Sequence, residues 1–152
     1  MRGGVAGVMY GCNAINGVPS TANPKIAAAL HAWNFTGYRT TDGGGIGGVS
    51  GLFKYVPTVE QAIAVSMREG ESDIDDGNTY ATHLLDALEA GALNMSSVRR
   101  ALFNTMRMRF RLGLFDPNST EGRLPEWRRL GVKDVDTEAV SDLPCNVGRE
   151  GG

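Results

Sequence analysis

Cysteine is nearly absent from this sequence. Two residues, Cys12 and Cys145, stand far apart in 152. Neither falls in a Cys-x-x-Cys or Cys/His ligand spacing, which argues against a structural zinc site, and nothing in the pattern supports a disulfide between them. An excess of either charge is also missing: 15 Lys and Arg stand against 17 Asp and Glu, for a net charge of −2 and a pI of about 5.7. That balance argues against nucleic acid or an anionic membrane surface as partner. No apolar run reaches the ~20 residues of a membrane span. The opening "MRGGVAGVMYGC" carries one arginine, but glycine breaks its apolar stretch, so it makes a poor secretion signal.

The chain does hold enough apolar residues, 41%, for one globular domain of ordinary size. Its 21 glycines crowd at the start, at 43–51 and at the end. Such runs suit loops that need unusual backbone angles or close approach to a ligand. Three Asn-x-Ser/Thr triplets, at Asn34, Asn94 and Asn118, hint at a secretory history; coincidence is the alternative.

Along the chain, strand-like and helix-like stretches alternate. Residues 5–12 are β-rich and apolar, as in a buried parallel strand, and "NAINGVPST" is turn chemistry. The spacing predicts a helix over 23–35, with Asn23 as N-cap, Pro24 at the first helical position, and Ile26, Leu30 and Trp33 forming an apolar stripe. A short strand over 37–41 ends at Asp42. A second helix spans 58–70, opened by a Thr58/Gln61 capping box and stopped by Gly70. Residues 71–75 read as a third strand and 82–93 as a third helix that Gly91 stops. The longest helix covers 96–113, with Val98, Leu102 and Met106 in line and five arginines on a solvated or interdomain face, an anion site being the alternative. Beyond it Pro117, Pro125 and Pro144 punctuate a stretch without periodicity. Strands alternating with helices imply parallel β/α units, an α/β fold.

The stretch "TTDGGGIGGVS" admits three readings. Gly43, Gly45 and Gly48 fit G-x-G-x-x-G after a strand, but the nucleotide fingerprint needs a helix opening on those glycines, and here Pro57 keeps any helix short. The loop is otherwise a flexible turn with an incidental aspartate. In the third reading Asp42 is a carboxylate nucleophile at a strand end, with small neighbours leaving room for a sugar ring.

Four blocks in order, "VMYGCNAINGVPSTAN", "GYRTTDGGGI", "YVPTVEQAIAVSMREGESDIDDGNTY" and "RALFNTMRMRFRLGLFDP", resemble the later part of the catalytic barrel of glycoside hydrolase family 3. The resemblance covers roughly residues 5–137. It implies a partial (β/α)8 TIM barrel, about the last three β/α units, and a retaining exo-acting β-glucosidase or β-xylosidase parent whose substrate is a β-linked carbohydrate. Residues 1–116 then belong to the catalytic domain and 117–152 to a linker or tail. Asp42 takes the nucleophile position. Met9 matches a residue lining the sugar subsite. Cys12 stands where the family usually has a tyrosine, as a small filler rather than a reactive thiol. Gly43 stands where β-glucosidases of the family often carry tryptophan, which leans towards the xylosidase group. No metal or cofactor is implied.

The resemblance also implies absences. The family's Lys-His pair and sugar-binding Asp and Arg come from earlier strands; His31 and His83 have no lysine before them. The acid/base residue usually comes from a second domain, and Asp73, Asp75 and Asp76 read as loop and capping groups. A closed barrel takes about 250 residues. The chain therefore reads as a fragment lacking the N-terminal barrel half and the C-terminal domain, inactive alone, from a secreted parent. The alternative is a non-catalytic binding or interaction module.

Overall fold

A computed structural model describes residues 4–115, 131–135 and 137. The chain divides into two compact units, Met1–Leu112 and Gly113–Gly152. In the second, the described residues form a 3-10 turn at Val132–Asp134, where the Gly131 N–H donates to the Asp134 carboxylate. Of the expected linker, 117–152, residues 117–130, 136 and 138–152 lie outside the described residues.

The first unit is α/β. Strand β1 (Gly7–Tyr10) pairs in parallel with β4 (Tyr38–Thr41), Met9 opposite Thr40 and Tyr10 opposite Thr41. Between them a hairpin joins β2 (Ala14–Ile15) to β3 (Val18–Pro19). Its turn residues Asn16 and Gly17 both take positive φ, 52° and 81°, as a two-residue turn that follows the sheet twist requires. A 3-10 turn at Ser20–Ala22 leads into helix α1 (Pro24–Ala32), where the Asn23 side chain accepts from the Lys25 N–H as expected of an N-cap.

After β4 come α2 (Gly45–Ser50), α3 (Val59–Arg68), α4 (Thr79–Glu89) and α5 (Met95–Arg111). Thr58 accepts from the Gln61 N–H, one half of the expected capping box. Gly91 and Gly113 end α4 and α5 at φ 69° and 67°. Among the described residues no helix is long and apolar enough to cross a membrane.

Burial divides the two faces of the small sheet. Tyr10 packs with Leu30 and Phe35, and the Arg39 guanidinium lies over the Phe35 ring at 5.7 Å. Tyr10, Arg39 and Thr41 thus face the helices. The main core lies among the helices: Ile46 of α2, Ile63, Ala64 and Met67 of α3, Ala87 of α4, Leu93, and Ala101 of α5. Each fully buried isoleucine there contributes about 2–3 kcal/mol of hydrophobic free energy. The alternate residues form the opposite face, where the Tyr38 ring lies over Gly7 and Met9 is 60% exposed.

Several expectations need correction. The third strand shrinks to one parallel bridge, Thr40 with Ile74. Glu71 enters it at φ 54°, and the N–H groups of Asp73 and Ile74 both converge on the Arg39 carbonyl, so no longer ladder builds. The first strand is four residues, not eight, and is half open because β4 pairs only one of its edges. Trp33 leaves the α1 stripe and is 59% exposed. On α5 the buried residues are Ser97, Ala101 and Met108, whereas Leu102 is 57% exposed. Gly70 is no left-handed stop: the positive φ falls on Glu71. A Cβ on Gly70 would lie 1.9 Å from the Thr21 carbonyl oxygen, so the glycine is needed for close approach.

Candidate active site

The site is built where β4 runs out of the sheet. Asp42 follows directly, and its backbone is fixed on two sides: its N–H donates to the Tyr10 carbonyl (2.9 Å) and its carbonyl accepts from Gly45 N–H (2.9 Å). By strand alternation it shares the parity of Tyr38 and Thr40, the face away from the helices. The Asp42 side chain is exposed, with Oδ1 accepting from the Gly43 N–H at 2.8 Å.

The loop after Ile74 clamps this turn. Thr41 is fully buried, and its Oγ1 accepts from the Asp76 N–H at 3.1 Å. The Asp76 carbonyl accepts in return from the Gly44 N–H at 2.8 Å. Asp75 anchors the loop to α4 by accepting from the Tyr80 N–H at 2.9 Å, which is the capping role expected of it. Asp73 is a buried strut. It accepts from the Arg39 N–H (2.9 Å) and from Asn104 on α5 (3.1 Å), and burial pushes its carboxyl above the usual range. Thr41 and the Asp76 backbone are the positioning groups that the sequence reading missed. The available signal was a hydroxyl at a strand position that alternation marks as buried, because such a group needs a partner.

Cys12 and Gly43 join Asp42. The Cys12 thiol donates to the Gly43 carbonyl at 3.5 Å. Slight desolvation, then the Asp42 carboxylate, push the exposed Cys12 thiol above its usual pKa, which makes it a poor nucleophile. Met9 lies one strand over, paired with Thr40 and two residues short of the Asp42 level. Gly43 has open space beside it, since a Cβ there would meet only the Asp76 carbonyl oxygen, at 4.0 Å. The nucleotide reading loses its physical basis here. The amides of Gly43, Gly44 and Gly45, which a phosphate would need, already donate to Asp42 Oδ1, the Asp76 carbonyl and the Asp42 carbonyl.

No family model matches the chain. It is 30% identical over 145 residues to a probable β-D-xylosidase 6 of Arabidopsis thaliana, covering 95% of this chain and 18% of that protein. A solved GH3 exo-β-xylosidase, in complex with a xylobiose aziridine activity-based probe, superposes with a TM-score of 0.67 at 31% identity, over 77% of this chain and 16% of that one. Over nearly its whole length this chain is similar to members of glycoside hydrolase family 3. A second solved structure fits the same family: a β-glucosidase of saponin metabolism from intestinal bacteria, with a TM-score of 0.68 at 27% identity, over 74% of this chain and 15% of that one. The chain thus spans under a fifth of the length of the relatives it matches.

Proposed function

We propose that this chain is a late part of the (β/α)8 barrel of a retaining, exo-acting β-glycosidase, with Asp42 as nucleophile. The observation that carries the reading is the exposed Asp42 carboxylate, held at the carboxyl end of a parallel strand by backbone bonds to Tyr10 and Gly45. Strand ends are where barrel enzymes place their chemistry. The bare sheet face of Met9, Thr40 and the Tyr38 ring then faces the barrel interior. The apolar hollow of about 480 Å³ beside Val5, Trp33, Phe35 and Met108 is where a preceding β/α unit packs.

In this mechanism the Gly43 amide fixes Oδ1 while Oδ2 attacks the anomeric carbon and forms a glycosyl ester. A second carboxyl group protonates the leaving oxygen and then activates water. Retention requires that group about 5–5.5 Å from Asp42; on this reading it comes from outside the chain. Met9, Cys12 and Gly43 line the sugar subsite, and the open space beside Gly43 suits a β-xyloside. The parent is a secreted protein, and residues 117–152 lead out of the barrel.

The test joins this chain to the rest of its parent. A glycosyl aziridine probe should esterify Asp42, located by peptide mass spectrometry. Asp42→Ala should lower kcat on an aryl β-xyloside on the order of 10⁴-fold. A label on another carboxylate, or unchanged turnover, would sink the assignment and favour the non-catalytic binding module.

A further inference from the structure

Cysteine spacing gives this chain no metal motif, but the fold assembles three other ligand side chains on the helix layer. Glu60 stands in the first turn of α3, and His83 and Asp86 lie one turn apart on α4. One ligand atom from each lies within 4.8 Å of the other two. His83 Nδ1 and Asp86 Oδ2 are 3.5 Å apart. Metal–ligand bonds of about 2.1 Å give a tetrahedral site edges of about 3.4 Å. One edge is therefore already formed. The others close if the Glu60 head moves in by roughly an ångström, within reach of a rotamer change in a side chain with three torsions.

The scaffold under these residues is rigid. α3 and α4 share the main core through Ile63, Ala64, Met67 and Ala87, so the ligands need not drag their helices together. His83 and Asp86 remain open to solvent, with side chains 42% and 60% exposed, so an ion can enter.

We propose that Glu60, His83 and Asp86 form a Zn²⁺ site that fastens α3 to α4, with water in the fourth position. One imidazole and two carboxylates suit zinc better than calcium or magnesium, which take oxygen ligands throughout. The site stands apart from Asp42 and does not depend on the glycosidase reading.

The test is calorimetric titration of Zn²⁺ into the 152-residue chain, with Co²⁺ absorption reporting the coordination. One equivalent should bind and raise Tm. His83→Ala and the near-isosteric Asp86→Asn should each weaken binding by about tenfold or more. Glu89→Gln, a carboxylate on the same helix outside the cluster, should leave it unchanged. Absence of saturable binding overturns the proposal. So does binding that persists in both His83→Ala and Asp86→Asn, which would place the zinc on other residues.

Discussion

Gly70→Ala tests the close approach that draws the end of α3 onto the segment before α1. A Cβ built on Gly70 lies 1.9 Å from the Thr21 carbonyl oxygen, 2.6 Å from the carbonyl carbon and 3.1 Å from Ala22 Cα. All three are backbone atoms, so no rotamer change relieves the overlap. The two segments must part by about an ångström to reach 3.0 Å, the shortest contact that real Cβ atoms make. Two buried hydrogen bonds join the same place: Tyr10 Oη donates to the Gly70 carbonyl at 2.6 Å and Ser72 Oγ to the Thr21 carbonyl at 3.0 Å. Losing them costs about 1 kcal/mol each, and residual overpacking about 1–3 kcal/mol more, so the substitution should destabilise the fold by about 3–5 kcal/mol.

Two other glycines calibrate that number. Gly91 sits at φ 69° in open space, so Gly91→Ala meets only left-handed strain, about 1–2 kcal/mol. Gly43 has neither a positive φ nor a close neighbour, so Gly43→Ala should stay within about 0.5 kcal/mol. Urea unfolding followed by circular dichroism, at constant m-value, reads all three. If Gly70→Ala matches Gly43→Ala, the contact with Thr21 is wrong, and with it the seating of α3 against the sheet.

Tyr10 gives a pH prediction. Burial pushes its hydroxyl up to about 12 from 10.0, so the folded state holds the proton more tightly than the unfolded one. Its contribution is fully present below pH 10 and is lost as pH rises towards 12, by about 2–3 kcal/mol; in Tyr10→Phe that part of the fall in urea midpoint should disappear. Thr41→Val keeps the side-chain shape but takes the acceptor from the Asp76 N–H. It should cost about 1–3 kcal/mol, and faster hydrogen exchange at the Gly44 and Asp76 amides would show the clamp loosening.

Local chemistry was legible in the sequence where a signal and its partner lie within a turn of each other. Asn23 and Thr58 cap the helices read for them, and the Asn16-Gly17 turn and the stop at Gly91 are set by their own φ angles. Periodicity told less. It groups Ile26, Leu30 and Trp33 on one stripe but cannot say where the neighbouring surface ends, and Trp33 lies beyond that edge. Leu102 fails for the same reason. Gly70 was misread because its requirement is a carbonyl 49 positions away at Thr21, not its own φ. The strand over 71–75 had the right composition, but a ladder needs a partner edge along its whole length, and only Ile74 finds one. Around Asp42 the sequence supplied the acid and its small neighbours. Of the clamp, the sequence marks one end, the buried Thr41 hydroxyl; the other end is the Asp76 backbone, which no side-chain pattern reveals.

That clamp bears on how labour divides within the proposed enzyme. Every bond that aims Asp42 is internal to the chain: Tyr10 and Gly45 fix its backbone, Gly43 fixes its carboxylate, and Thr41 with Asp76 holds the turn. Among the described residues almost nothing encloses it, because the side chain is exposed and Met9 on the sheet face below it is 60% exposed. A carboxylate in open water is well solvated and a weak nucleophile. It gains reactivity when a site excludes water and supplies a proton donor to the leaving oxygen. On the proposed reading, this segment fixes where the attack comes from, and the surrounding protein decides whether it succeeds. The chain alone should therefore hold Asp42 in the right geometry and still fail to turn over.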